Sequence, residues 1–241
     1  EVTLSMIKGI YAKYGGKNLC LAGGVALNCV NNGKLLKNGP YQNIWIQPAA
    51  GDSGASLGAA LIQWNQNLNC ERSVDKGDKM QGTYLGPEFS NDEIQKFLDT
   101  NGIEHQKFET EDIEKYVAKL ISQGYVVGWF QGRMEFGPRA LGNRSILGDP
   151  RNENMQKTLN VKIKGRESFR PFAPAVLEED VEKYFDLGIE SPYMLLVSKI
   201  RKDLQISVDT SVKGLEKLKL KRSEIPAVTH VDGSGRLQTV D

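Results

Sequence analysis

Residues 18–66 read NLCLAGGVALNCVNNGKLLKNGPYQNIWIQPAAGDSGASLGAALIQWNQ, and their punctuation predicts the fold class. Asn18 to Ala22 reads as a short buried strand, the Gly23-Gly24 pair turns the chain, and a helix is expected over 25–37. Asn43 to Gln47 reads as a second strand that Pro48 breaks. The glycine-flanked turn Gly51-Asp52-Ser53-Gly54 then opens an alanine-rich helix expected over 55–66. Strand, glycine turn, helix, repeated once, predicts an α/β half-domain with two helix N-termini open to ligands.

Outward from this block, residues 2–14 place Leu4, Ile7, Ile10, Tyr11 and Tyr14 at helical spacing, closed by Gly15-Gly16. Residues 67–80 are polar and read as a linker. Beyond them a second α/β unit is expected over 81–241. Its helices are expected at 91–100, capped by Ser90 or Asn91, at 112–123, from Asp149-Pro150 onward, and at 178–185. Its strands are expected at 125–130 (buried), 144–147, 172–176 and 194–197. The basic stretch KGLEKLKLKRSE reads as an exposed helix or loop. The chain opens on EVTLSM without an initiator methionine and stops on LQTVD in strand-like sequence, so a fragment of a longer protein is expected.

Bulk properties exclude several functions. The 241 residues are 39% hydrophobic and 25% charged, with a net charge of +1, so no general polyanion binder is expected. Three cysteines, Cys20, Cys29 and Cys70, have no spacing that suggests zinc or a disulfide framework, which fits a reducing cytoplasm. Two histidines, His105 and His230, are too few for a histidine-based metal site. No apolar run reaches the ~20 residues that cross a bilayer.

Chemistry concentrates in GRMEFGPRALGNRSILGDPRNENMQKTLNVKIKGRESFRPFAPAV, residues 132–176. It carries nine cations between Arg133 and Arg170 against Glu135, Asp149, Glu153 and Glu167. Arg133, Arg139 and Arg144 lie on a loop leaving a strand, and Lys164, Arg166 and Arg170 on one between a helix and a strand. Guanidinium forks and ammonium groups on tight turns suit a phosphate or carboxylate ligand. A solvated basic surface, with some arginines paired to the four acids, is the alternative. Gly23 and Gly24 allow close approach of a flat ring or make a tight turn only. Asp52 caps a helix or binds a metal, the cap being favoured. His230 and Asp232, two apart on an expected strand, share a face and suit a proton relay or phosphate contact, or a structural hydrogen bond; Arg236 adds to that polar cluster.

The segments LCLAGGVALN, PAAGDSGASLGAAL, GRMEFGPRALGNRSILGDPR, FRPFAPAV and THVDGSGRLQTV together resemble the carbamoyltransferases of nodulation and antibiotic biosynthesis. The resemblance implies that residues 1–66 are the last part of an actin-like ATPase (Kae1-like) domain. Residues 81–241 are then most of a YrdC-like α/β domain with a twisted open sheet. It implies that carbamoyl phosphate and ATP yield carbamoyladenylate in the YrdC-like part, and that the Kae1-like part passes the carbamoyl group to a substrate hydroxyl. Arg133, Arg139, Lys164 and Arg166 are then the catalytic candidates. Gly23, Gly24, Asn28, Arg144, Arg170 and His230 become substrate or nucleotide contacts, and Asp52 a ligand of a divalent metal, iron, whose histidine ligands lie in an N-terminal half outside this chain. The Lys164-x-Arg166 pattern departs from YrdC proteins in having Glu167 where a proline often follows. Such a fragment alone is expected to be inactive. A threonylcarbamoyl-adenylate synthase of tRNA modification is the runner-up, which the GPRALGNRS and RPFAP wording disfavours. An RNA-binding module is the third reading, weakened by the near-zero net charge.

Overall fold

The computed structural model describes residues 1–74, 77–209 and 211–241, so Asp75 and Lys76 of the expected linker lie outside the described residues. Helix α1 (Val2–Tyr14) ends where Gly15 and Gly16 take φ values of 64° and 105°, which side-chain-bearing residues rarely adopt. Strands β1 (Asn18–Leu21) and β2 (Asn43–Ile46) pair in parallel from Asn18–Asn43 to Leu21–Ile46. A parallel pair needs a crossover, and α2 (Cys29–Asn38) supplies it. This helix starts later than expected. Gly24–Leu27 forms a single 3-10 turn, and the Asn28 side chain accepts the Asn31 N–H at 3.0 Å, resetting the helix start by its cap. Helix α3 (Asp52–Ile62) starts earlier than expected and widens into a π turn over Gln63–Asn67. Gly51 is its N-cap, so Asp52 is not the capping residue that was expected; it sits in the first turn, where the helix dipole favours its charge.

The second half begins at Asp78, whose carboxylate accepts the N–H groups of Met80 (2.9 Å) and Gly82 (3.0 Å) and the Tyr193 hydroxyl. Helix α4 (Asn91–Thr100) is capped by Ser90 in a reciprocal box with Glu93, and α5 (Thr110–Ser122) precedes β3 (Val127–Phe130). Strand β3 pairs antiparallel with β4 (Arg144–Leu147), but it is half-exposed rather than buried. Helix α6 (Met155–Thr158) continues as a π turn to Ile163. It does not start at Asp149, because that carboxylate is taken by the Arg151 N–H (2.9 Å) and guanidinium (2.8 Å). Strand β5 (Ala175–Leu177) and α7 (Val181–Tyr184) follow.

A strand was expected over 194–197, but Met194 takes a positive φ of 53° and the neighbouring Leu195 and Leu196 are both buried. The extended segment is instead β6 (Ser198–Lys199), paired with β7 (Ser234–Gly235), while β8 (Gln238–Val240) runs parallel to β5. Among the described residues the α/β architecture is therefore four two-stranded sheets rather than one twisted open sheet. Loops account for this. Gly132, Gly137 and Gly142 take positive φ between β3 and β4, and Pro171 and Pro174 offer no N–H before β5.

Of the three apolar clusters among the described residues, two position the site. One gathers Val176, Val181, Phe185, Ile200, Ile225, Val228 and Leu237. The other packs Ala26, Ile46 and Ala50 against Leu195 and Leu196, so the N-terminal strands share a core with the far end of the chain. Asn32, fully buried, donates to Ala26 O (2.8 Å) and Leu195 O (3.0 Å) across that junction.

The loop between β3 and β4 is organised by Glu135, which is 7% exposed. Its Oε1 accepts the N–H groups of Leu141 (2.7 Å), Asn143 (2.8 Å) and Arg144 (3.2 Å). Burial works against the ionised form, yet these backbone donors together hold the carboxyl below its ordinary range. A carboxylate with a depressed folded pKa stabilises above its unfolded value, about 4.3, and that stabilisation is lost as pH falls through the folded value. Glu135→Ala should cost roughly 3 kcal/mol in urea unfolding at neutral pH, since it strands three donors. Glu135→Gln should lose less stability than the wild type between pH 5 and 3, about where carboxylates titrate.

Candidate anion site

The cations of residues 132–176 do not act alike. Arg139 donates from Nη2 to Leu27 O at 3.2 Å, while its buried Nε has no partner. Arg166 donates from Nε to Asn160 Oδ1 at 2.6 Å and lies 5.1 Å from the Phe172 ring centre. Fully buried Asn160 also donates to Ser168 O (3.1 Å) and Arg170 O (2.7 Å), so it shapes the loop and aims the arginine at once.

Both guanidiniums lie within electrostatic range of Arg236, on the connection between β7 and β8. Burial first, then the charges of Arg139 and Arg166, push the Arg236 pKa below its ordinary value, with Cys29 opposing. No hydrogen bond or ion pair joins Arg236 to another described residue. Buried Leu237 and Gln238 hold it there, the latter donating to Leu141 O at 2.9 Å and so tying β8 to the Arg139 loop. An unpaired arginine within electrostatic range of two others favours a multivalent anion.

The remaining candidates lie elsewhere. Arg133 donates to Gly86 O (2.9 Å) and sits 3.8 Å from Glu88. Arg144 stacks 3.5 Å from the Phe130 ring centre and donates to the carbonyls of Gln131 (2.6 Å), Asn143 (2.8 Å), Gly132 (3.1 Å) and Pro87 (3.3 Å). Arg170 pairs with Glu167 at 2.9 Å, Arg151 with Asp149 at 2.8 Å and Lys221 with Glu153 at 2.7 Å. Lys164 is exposed at the end of the π turn after α6. The structure thus joins Arg139 and Arg166 through Arg236, while Arg133 and Arg144 fasten the 86–88 segment.

In the N-terminal part, Gly23 (φ 91°) and Gly24 are exposed with open space where a Cβ would stand. Asn28 uses its side chain as the α2 cap. Asp52 is exposed, and among the described residues no group of three or more His, Cys, Asp or Glu could hold a metal ion. The residues present therefore do not by themselves fit iron.

His230 lies on a turn, not on a strand face shared with Asp232. Its backbone N–H reaches Ser234 O at 2.7 Å, and Gly233, at φ 73°, closes the turn. Its Nδ1 lies 3.1 Å from Ser234 Oγ, which donates to Asp232 Oδ1 at 2.6 Å. Burial pushes the imidazole pKa down; Asp232 opposes this and Arg236 adds to it. Beside His230 opens a cavity of about 560 Å³ lined also by Gln156, Lys157, Ser168, Phe169 and Arg222. Arg133, Lys164 and Arg166 do not line it.

Sequence reasoning placed Arg236 only in a polar cluster and passed over Asn160. A signal was available for Arg236: one cation within GSGRLQTV, a segment otherwise suited to burial.

Comparison with known proteins gives this arrangement its class. The family description "Carbamoyltransferase N-terminus" matches residues 1–61 and "Carbamoyltransferase C-terminus" matches residues 118–241. The chain belongs to the carbamoyltransferase family. It is 54% identical over its whole length to an uncharacterized protein of Synechocystis sp., covering 40% of that protein. It is 44% identical to nodulation protein NolNO of Sinorhizobium fredii over 94% of this chain and 31% of that one. It is 31% identical to the 3'-hydroxymethylcephem-O-carbamoyltransferase of Streptomyces clavuligerus over 93% of this chain and 37% of that one. The chain thus spans less than half the length of these relatives.

If the arginines await an anion, millimolar pyrophosphate should raise the melting temperature of the wild type. Arg236→Met should show no such rise, and in buffer alone should melt at or above the wild type because one like charge is gone. A pyrophosphate response retained by the variant would count against the site.

Proposed function

We propose that this chain is part of an ATP-dependent O-carbamoyltransferase, and that Arg139, Arg166 and Arg236 hold the phosphoryl groups of its activation step. Family membership supports the reaction class, and the observation that carries the site is Arg236, which no hydrogen bond or ion pair joins to another described residue and which lies within electrostatic range of Arg139, whose buried Nε has no partner, and of Arg166. In this reading residues 81–241 are YrdC-like and form carbamoyladenylate from carbamoyl phosphate and ATP. Residues 1–66 are the end of an actin-like, Kae1-like domain that passes the carbamoyl group to a hydroxyl of a small-molecule acceptor, and residues 67–80 join the two. The Streptomyces relative, a 3'-hydroxymethylcephem-O-carbamoyltransferase, supports a small-molecule hydroxyl acceptor over tRNA.

The chemistry asked of this chain's residues is electrostatic. Guanidiniums at the phosphoryl oxygens neutralise charge as the leaving group departs, and burial strengthens them relative to solvent-exposed lysines. Exposed Lys164, a few residues before Arg166, is suited to reach an outer phosphate of ATP. Open Gly23 and Gly24 are suited to a nucleotide in the Kae1-like part. An iron ion, as the resemblance implies, finds only Asp52 here, and none of these roles depends on it. A cytoplasmic setting is part of this reading, and three free cysteines support it.

Isothermal titration of the chain with ATP or a non-hydrolysable carbamoyladenylate analogue tests this. Lys164→Ala and Arg166→Ala should each weaken binding, Arg166→Ala by about 2 kcal/mol or roughly 30-fold. No binding by the wild type, or equal binding by both variants, would overturn it.

A further inference from the structure

Asn160 lies fully buried in the π turn that continues α6, beside Leu159, which packs with Met155 and Ala227. Its amide is used completely by the loop that follows. Nδ2 donates to Ser168 O at 3.1 Å and to Arg170 O at 2.7 Å, while Oδ1 accepts the Arg166 Nε–H at 2.6 Å. Its backbone carbonyl accepts the Arg166 N–H at 3.0 Å. Chemistry fixes which way this amide points: two carbonyls can only accept and a guanidinium can only donate, so its O and N cannot be exchanged. One buried residue therefore holds Arg166 by backbone and side chain together.

The identity of the acceptor sets Arg166 apart. Where other guanidiniums of residues 132–176 turn Nε to a side chain, they meet a carboxylate: Asp149 for Arg151 at 2.8 Å, Glu167 for Arg170 at 2.9 Å and Glu88 for Arg133 at 3.8 Å. Those pairs cancel the charge that an anion site needs. Asn160 offers a neutral oxygen, so it orients Arg166 without neutralising it. The Nη groups of Arg166 make no hydrogen bond or ion pair to a described residue. A guanidinium has two forks, one that includes Nε and one formed by the Nη pair, and the first is closed here.

Resting on the arginine site proposed above, we infer that Asn160 is a positioning residue of that site. By occupying Nε it turns the Nη1–Nη2 fork of Arg166 toward two oxygens of one phosphoryl group. A long side chain free to rotate loses rotamer freedom when a ligand arrives, and the bond to Asn160 removes that cost beforehand. Asn160 itself touches no ligand.

The test is a double-mutant cycle on the full chain, titrated calorimetrically with pyrophosphate. Arg166→Ala should bind roughly 30-fold more weakly than the wild type, and Asn160→Leu, which is similar in size and has no side-chain polar atom, roughly tenfold more weakly. In the Arg166→Ala background Asn160→Leu should cost less than about twofold, since aim counts only when the guanidinium is present. A loss of the same factor in both backgrounds, as from a loop that is merely misshapen, overturns the role of Asn160, and so does no loss in either. A second measurement needs no Asn160 variant to fold. In ¹⁵N–¹H spectra of the wild type, the Arg166 Nε–H, assigned by its disappearance in Arg166→Lys, should exchange slowly with water both before and after pyrophosphate is added. An Nε–H that exchanges as fast as those of exposed arginines, or that pyrophosphate displaces, also overturns it. Pyrophosphate binding that is lost in Arg236→Met while the cycle is additive removes Asn160 and keeps the arginine site. A wild type that binds no pyrophosphate removes both.

Discussion

A single carboxylate inside a loop of positive charge is the constraint on which the rest of this structure depends. Residues 132–144 carry three cations, three positive-φ glycines and a proline, a composition that forms no helix or strand by itself. Glu135 gives the loop its shape by accepting three consecutive-loop N–H groups, a task that a neutral side chain performs less strongly. Because those bonds run to backbone N–H groups rather than to the guanidiniums of Arg133, Arg139 or Arg144, the carboxylate neutralises no cation directly. The loop is folded by an anion whose charge is spent on amides, and its guanidiniums remain for other work.

Each guanidinium is then assigned by the acceptors within reach. Arg144 finds four carbonyls and an aromatic face, Arg133 finds Gly86 O and Glu88, and Arg170 finds Glu167. Arg139, Arg166 and Arg236 find one polar acceptor, one, and none. This ordering separates arginines that build structure from the arginines left for the proposed ligand. A ligand site is a place where the fold has left its own polar groups under-satisfied, which lowers stability locally and raises affinity by the same interactions.

That distinction was not legible in the sequence, though much else was. Asn43-Ile44-Trp45-Ile46 before Pro48 and the Ser90-Asn91-Asp92-Glu93 start of α4 carry their structure locally, through period-two burial and a capping box, and both elements lie where expected. The same local rules failed at Asp149-Pro150, which reads as a helix start, because Arg151 two residues on captured the carboxylate. They failed at 194–197 because Leu195 and Leu196 serve a core shared with Ala26 and Ile46, about 150 residues away in sequence, and tertiary packing decides such positions. Nine cations in one stretch were visible; that Arg139 and Arg166 have Arg236, beyond it, within electrostatic range goes with Gln238 reaching Leu141 O.

The same bonds place the site at a seam between the two ends of the chain. Arg139 donates to Leu27 O, at the end of the 3-10 turn that Gly24 opens, and Pro48 and Ala49 lie within 3.6 Å of where a Gly137 Cβ would stand. The glycine pair and the arginines are therefore neighbours through one hydrogen bond, not features of separate bodies. If activation and transfer divide between the two parts as proposed, an adenylate held by the arginines has little distance to travel, and a charged, water-labile intermediate gains from a short path. On this argument the Arg139–Leu27 contact couples the halves. Loosening it should affect passage of the intermediate before it affects either half's own binding.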